Sequence, residues 1–577
     1  MSQVKRIPYG ISDFNQLRSD NCYLVDKTRY LPLIEQMPNY LFLIRPRRFG
    51  KSLFLSMMRT YYDILQRDNF DKYFGDLWIG THPTEERNRF QVLYFDFSKA
   101  GCSGVGDGLM TSFNEYCGLV IDKFAQQYAS FYNDDFESRV LSIENPKAKL
   151  AYIELEAKEK GYPLYLIIDE YDNFTNVILS EHGQKMFHDL THASGFYREY
   201  FKQYKGMFNR IFLMGVSPVT LDDLSSGYNI DWNISTDETF NAMMGFSETE
   251  VREMFTYYKS NGLLTGDVEA MISEMKPWYD NYCFARMSLN DDRVFNCDMT
   301  LYYLNSQIKK HRSPEDMVDK NIRTDYSKLK MLARIDHDSS REGSRMSTIE
   351  EIAAKGEILV NLHTSFPAER IVDIDNFRSL LYYYGLLTIC GTRGDRLRMC
   401  IPNHCVREQY FGFLRDYYQQ IHPLNLSHLK DQIDDLVYDG HWKPFFESIA
   451  GAYHENSSIR DGMEGERNLQ GFLKAYLALA SYYLVEPELE MNYGYCDFFL
   501  LPDKQRYPDI EHSYILELKY AARTATDAEL AAQAEEGRRQ LHQYSEDKIA
   551  RQLAKGTTLH RLLLQFRGWE MLRCEEI

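Results

Sequence analysis

Residues 45–52 read RPRRFGKS, and these eight positions decide whether the chain opens with a nucleotide-binding fold or only with a basic turn. The phosphate-loop pattern G-x-x-x-x-G-K-[ST] is met at every specified position but the first, where Arg45 stands in place of glycine. That glycine serves backbone geometry and not charge, so its absence is a problem of turn shape. Across Arg47, Arg48, Phe49, Gly50, Lys51, Ser52 and Leu53, backbone N–H groups and a helix N-terminus would wrap a nucleotide's phosphates. Lys51 would meet the β and γ oxygens and Ser52 would bind magnesium. The side chains of Arg47 and Arg48 either contact phosphate or lie on the exposed side of the loop.

The surroundings favour the phosphate loop. An apolar run, LFLI, precedes it, and Leu53, Leu55, Met57 and Met58 follow at helical spacing, which gives strand, loop and helix. VLYFDFS (92–98), PLYLIIDEYDNF (163–174) and NRIFLMGVSP (209–218) supply three further apolar strands. Continuous apolar runs between long helical stretches predict a parallel sheet covered on both faces. The third strand ends in Asp169 and Glu170, placing one carboxylate to reach magnesium and the next to polarise water. Ser217 closes the fourth strand, either as a polar group sensing the γ-phosphate or as a turn serine.

From about residue 246 the pattern turns helical: FSETEVREMFTYY has Ser247 as a cap and acids in the first turn. GLLTICGTRGDRLRMCIPN reads as a hairpin. After about residue 460 come a helix (GERNLQGFLKAYLALASYYL), two strands (EMNYGYCDFFLLP and SYILELKY) and an Ala/Glu/Gln-rich helix over 526–545. The predicted division is a nucleotide-binding core over 1–245, a helical lid and connecting region over 246–455, and a third domain over 456–577.

That third domain carries a different chemistry. Strand periodicity puts Glu517 and Lys519 on one face, with Leu516 and Leu518 opposite, and Asp497 adjoins the preceding apolar strand. Two carboxylates and a lysine on neighbouring strands can hold a divalent metal and orient water for attack on a phosphodiester. Asp509 lies in a polar, turn-like stretch and is set aside. Glu466, on the helix before, and Gln540, on the helix after, add a further carboxylate and an amide. The bland alternative is a salt-bridged strand surface.

Composition bounds these readings. At 577 residues, 44% hydrophobic and 26% charged, the chain is expected to be globular, with two or three domains. A net charge of -18 excludes a surface coated with nucleic-acid-binding groups but not a local basic groove. The N-terminus has no signal-peptide run and no segment reaches the length of a membrane span, so a cytoplasmic location without membrane contact is expected. Ten cysteines without a CxxC pair fit reduced thiols, and Cys400, His404 and Cys405 have the wrong spacing for zinc. Tyrosine pairs, as in TYYDIL and SYYLVE, read as helix packing more than as a base-stacking platform.

These motifs resemble one known arrangement: bacterial proteins, Bacteroidetes-type, that join an AAA-ATPase-like domain to a C-terminal PD-(D/E)XK nuclease-superfamily domain. YGISDFNQLRSDNCYLVDKT, RPRRFGKSLFLSMM, LYLIIDEYDN, FLMGVSPV, KPWYDNYCF, FRSLLYYYGLLTI, GERNLQGFLKAYLAL, MNYGYCDFFLLP and ILELKY are similar to its blocks, and span nearly the whole chain. Relatives also carry Arg-Pro-Arg-Arg-Phe-Gly-Lys, so the absent glycine is a family habit. The resemblance implies an α/β fold: a P-loop NTPase parallel sheet with helical lid and middle region, followed by a restriction-endonuclease-like α/β domain. It implies Glu170 as the ATPase catalytic acid, Asp497, Glu517 and Lys519 as the nuclease residues, and Glu466 and Gln540 as accessory ones. The expected cofactors are ATP and Mg2+, with Mn2+ also able to serve the nuclease site. The expected partner is nucleic acid, DNA before RNA, alongside a homo-oligomer and a protein trigger, and the expected setting is mobile-element or phage defence. A nucleotide-dependent signalling or scaffold protein whose nuclease-like domain binds without cutting is the alternative.

Overall fold

The computed structural model describes residues 3–100, 107–173, 196–219, 232–291, 293–319, 345–367, 370, 373–421, 423–456, 465–479, 482–491, 494–504, 506–545 and 547–577. Its contacts divide the chain into two compact units, Met1–Asp319 with Leu359–Asn403, and Lys320–Ile358 with His404–Ile577. Residues 246–319 thus fall in the first unit, and 404–455 in the second. Among the described residues no helix is long and apolar enough to cross a membrane.

The first unit is built on β1 (Tyr40–Ile44), β2 (Gln91–Asp96), β3 (Leu164–Asp169), β4 (Arg210–Gly215) and β5 (Trp232–Asn233), in the order β2-β3-β4-β1-β5. Every neighbouring pair is parallel. Parallel strands need crossovers, and the crossover helices cover the faces, so β3 and β4 are buried along their whole length. The apolar runs at 164–168 and 211–214 are the sequence form of that burial. Each fully buried Leu, Ile or Phe there stabilises the core by about 1.5–3 kcal/mol.

The covering helices are α1 (Lys51–Tyr62), α2 (Asp107–Tyr128), α3 (Pro146–Lys160) and α4 (Phe196–Met207). Helix α1 packs on β2 and β3, and α2 on β2 and α3. The limits of α3 are written in its sequence: Asn145 caps the N–H groups of Lys147 and Ala148, Pro146 takes the first turn, and Gly161 ends the helix at φ 76°. Helix α5 (Glu248–Ser260) begins with the expected Ser247 cap, completed as a capping box by Glu250. Helix α6 (Cys297–Lys310) follows, and the hairpin reading holds for Thr388–Arg393 and Arg396–Cys400.

The second unit places α7 (Arg345–Lys355), α8 (His404–Ile421) and α9 (Glu466–Leu477) together, α9 packing on both of the others. Its sheet runs β6 (Tyr483–Met491), β7 (Gly494–Pro502), β8 (His512–Ala521), β9 (Thr558–Arg567) and β10 (Glu570–Glu576), in sequence order. Only β8 and β9 pair in parallel, joined across α10 (Asp527–Ser545), which lies on both. Two sequence expectations are corrected here. SYYLVE is not helical, because α9 stops at Leu477 and Tyr483 already pairs with Pro502 in the β6–β7 hairpin. Aromatic and β-branched residues suit that pleated surface better than a helix. The sheet also has five strands where two were read, since β6, β9 and β10 carry no motif to mark them.

Candidate functional sites

At the first site, β1 delivers the loop and α1 begins at its end. Gly50 has φ 84°, a left-handed value that a side chain would strain, and it turns the loop into the helix. Lys51, Ser52 and Leu53 then form the first turn, where N–H groups have no partner within the helix and the macrodipole is positive. Arg45 explains the missing glycine. Its side chain is 1% exposed, donates to the carbonyl oxygens of Ile44, Ser235 and Phe240, and lies 4.3 Å over the Phe284 ring. Burial pulls its guanidinium down to about 10. It is an internal strut, and its side chain points into the fold. Phe49 is likewise buried, edge-on to Tyr282 and Phe284.

Lys51 is buried and donates to the carbonyl oxygens of Arg45 and Pro46, at 3.2 and 2.9 Å. Burial lowers its pKa, opposed by Glu170, Asp169 and Asp172. The Ser52 hydroxyl donates to Asp169 Oδ2 at 2.6 Å, joining the loop to the acid strand. Burial pushes the Asp169 carboxyl up to about 6 against the Ser52 hydrogen bond and the Lys51 charge. Glu170 carries φ 51°, an uncommon conformation for a residue with a side chain, and its carboxylate stands 3.9 Å from Arg47. Arg48, also left-handed at φ 68°, pairs with Asp298 of α6 at 2.8 Å.

Ser217 is fully buried just beyond β4, and its hydroxyl accepts from the Val219 N–H at 3.2 Å. Sequence reasoning passed over its neighbour Asp172, whose carboxylate accepts from the N–H groups of Val216 and Ser217 at 3.1 and 2.8 Å. Asp172 therefore ties the turn after β3 to the end of β4. The spacing D-E-x-D was the available signal. Tyr94 was also missed: its hydroxyl lies 3.5 Å from Asp169 Oδ2.

The second site sits where β7 and β8 part. Their ladder runs from Leu500–Tyr514 to Phe498–Leu516. One residue further on, the Asp497 carboxylate takes over, accepting from the Leu518 N–H at 2.7 Å. Glu517 is 3% exposed, and one of its oxygens accepts from Lys519 Nζ at 2.8 Å. Glu517 Oε2 is buried with no hydrogen-bond partner among the described residues, and so is Gln540 Oε1 on α10. Burial and the Asp497 charge push the Glu517 carboxyl up to about 7, Glu466 adding to the rise and Lys519 opposing it. Gly537 lets α10 lie this close: a Cβ there would fall 2.6 Å from Leu563 and within 3.5 Å of the Lys519 stem. Glu466 opens α9 as an exposed side chain, and Asp509 lies in the turn before β8, as expected.

An unsatisfied buried carboxylate oxygen beside a second carboxylate fits a divalent cation, which takes hard oxygen donors. No group of three or more His, Cys, Asp or Glu side chains that could hold a metal is found among the described residues, so solvent or substrate oxygens would complete the shell. At the first site the Ser52 hydroxyl and the Asp169 carboxylate form an oxygen pair of the same hard character, beside the N–H groups of the first turn.

Comparison with known proteins agrees with both halves. Residues 8–225 match the family described as predicted AAA-ATPase, and residues 464–576 match the PD-(D/E)XK nuclease superfamily. An uncharacterized protein in the vnfD 5' region of Azotobacter chroococcum mcd 1 is 26% identical over 291 residues, 48% of this chain and 48% of that protein. The chain thus spans about half the length of the curated relative it matches. Solved structures of Aeropyrum pernix proteins are 10% identical: ORC1 in complex with DNA, with 67% of this chain and 92% of that one covered at TM-score 0.25, and ORC2 (ADPNP-ADP complexes), with 68% and 92% covered at TM-score 0.30. Likenesses at these scores carry no weight for fold or function.

Proposed function

From a chain that joins a predicted AAA-ATPase domain to a PD-(D/E)XK nuclease-superfamily domain, we propose an ATP-binding and ATP-hydrolysing module coupled to a metal-dependent nuclease acting on nucleic acid, DNA before RNA. The observation that carries the nuclease reading is Glu517. A carboxylate this deeply buried, with one oxygen on Lys519 and the other on nothing among the described residues, is costly unless a ligand completes it. Asp497 and Glu517 would hold Mg2+ or Mn2+, which supplies charge stabilisation and a more acidic bound water. Lys519 orients the attacking water and holds a proton at Nζ. Gln540 offers an acceptor to the same space, and Glu466 adds negative charge at its edge.

In the ATPase half, Lys51 would leave the Arg45 and Pro46 carbonyl oxygens for the β and γ phosphates. Ser52 and Asp169 would hold Mg2+, and Glu170 would orient water. We read the coupling as a change in the first unit on ATP binding that gates cleavage. Cleavage of plasmid, linear and single-stranded substrates with Mg2+ or Mn2+, with and without ATP, tests this in the parent, Glu517→Ala and Lys51→Ala. Cutting that is lost in Glu517→Ala and altered in Lys51→Ala supports the proposal. Cutting by Lys51→Ala at the parent's rate with ATP removes the gating. No cutting in any condition, with ATP still bound, leaves a nucleotide-dependent scaffold whose nuclease-like domain does not cut.

A further inference from the structure

The first sheet has a second concave edge. Its strands run parallel, so the phosphate loop and Asp169 lie at their C-terminal ends, and the residues before β2, β3 and β4 gather at the opposite edge. There Asn88, Pro163 and Asn209, with the C-terminal ends of α3 and α4, line a cleft of about 700 Å³. Ligand sites span about 300–1,000 Å³.

Four cationic side chains, Arg67, Arg87, Arg89 and Lys158, line this cleft together with Glu85 and Glu154. Among the described residues none of the six forms an ion pair. Arg87 is held in place over the Phe70 ring at 4.3 Å, which leaves its N–H groups for a ligand. A net positive cleft in a chain of net charge -18 is a local reversal of sign.

Gly206, near the end of α4, also lines the cleft, and a Cβ there would meet no atom within 4 Å, so this wall is open.

We propose that this cleft is a second nucleotide site, taking phosphates on Arg67, Arg87, Arg89 and Lys158. A free nucleotide and the 5'-phosphorylated end of a strand share this chemistry. The site is separate from the phosphate loop and does not depend on its assignment.

Calorimetric titration of the full chain with ADP and Mg2+ tests the proposal, in the parent, Lys51→Ala, Arg87→Glu/Arg89→Glu, Gly206→Trp and their combinations with Lys51→Ala. A 5'-phosphorylated tetranucleotide, titrated in the parent, in Glu517→Gln, in Lys51→Ala/Glu517→Gln and in the last two combined with each cleft change, forms the second arm. The expected result is that Lys51→Ala keeps a ligand that the arginine reversals weaken about ten- to hundredfold and that Gly206→Trp blocks. Both cleft changes lie on exposed or open positions, and an unchanged Tm shows that the fold is intact. Binding of ADP alone that both cleft changes weaken identifies a free nucleotide, and binding of the tetranucleotide alone that they weaken a strand end; either supports the site. Binding in the parent that Lys51→Ala abolishes for both probes overturns the cleft and leaves the phosphate loop standing. Binding lost in the arginine variant but unchanged in Lys51→Ala supports the cleft and removes the phosphate-loop reading. Residual binding in Lys51→Ala that ignores both cleft changes also overturns the proposal.

Discussion

The phosphate loop and the Asp497–Glu517–Lys519 cluster use the same residue types in opposite states. At the loop the central lysine and the strand-end aspartate are satisfied internally. Lys51 rests on two carbonyl oxygens, and Asp169 takes the Ser52 hydroxyl on one oxygen and the Glu170 N–H on the other. At the C-terminal cluster, Glu517 keeps one oxygen buried and unfilled. A ligand at the first site must displace existing hydrogen bonds, so its net gain is small and its binding can be switched. A cation at the second site fills a standing deficit and gains the whole interaction. The difference suits a nucleotide that comes and goes and a metal that stays.

The largest expected effect would break this comparison at the cluster. Glu517→Gln keeps the shape and removes the charge, and cutting is expected to fall by about 10³-fold or more, since a ligand carboxylate and its partner lysine act as a unit. Plasmid relaxation at saturating Mg2+ measures it. Next comes Lys51→Ala, for which ATP turnover should drop about 10²–10³-fold, the scale of losing one preorganised positive group; phosphate release reads it. Replacing Arg45 by the consensus glycine should harm and not improve the loop. It empties a buried space and strands the Ser235 and Phe240 carbonyl oxygens, for a loss of about 3 kcal/mol seen in urea unfolding.

A smaller effect sharpens the contrast. The folded Glu517 carboxyl titrates at about 7, above its ordinary 4.5, so between these values the folded state holds a proton that the unfolded chain has released. The stability this proton contributes is present at low pH and is lost as pH rises through about 7. Without metal, Glu517→Gln should therefore melt above the parent at pH 8, by about 2–4 °C per kcal/mol recovered, and the gap should narrow through pH 5.5 and close below the unfolded value of 4.5. Mg2+ should raise the parent and not the variant. Smallest of all is Arg48→Ala, which removes a partly exposed pair with Asp298 and should cost under about 1 kcal/mol.

The core was legible because parallel strands buried on both faces must be written as apolar runs, and 164–168 and 211–214 are such runs. Their ends were legible because acids after a buried strand have few structural reasons to be there. Arg45 was not legible: an arginine beside a basic loop reads as a surface charge, and only the carbonyl oxygens of Ser235 and Phe240, nearly 200 positions away, give it an interior role. Asp172 was hidden for a related reason, since its partners are backbone N–H groups that carry no residue identity. The strands β6 and β10 were missed because their alternation is interrupted by charges, as edge strands allow, and β9 because its short apolar run carries no motif.

The chain passes between the two units at 319–320, 358–359 and 403–404. The C-terminal unit is therefore assembled from two separate stretches, and the match at 464–576 covers only part of one. Lys474, 1% exposed on α9, donates its ammonium to the carbonyl oxygens of Ala353 and Ala354 at the end of α7. A fragment trimmed to the matched residues would keep that lysine and lose the carbonyls that hold it. Anyone isolating the C-terminal half by truncation should expect inclusion bodies, and an inactive fragment would say nothing about the full chain. Supplying residues 345–358 on a separate peptide, or grafting them ahead of His404, is the way to recover it.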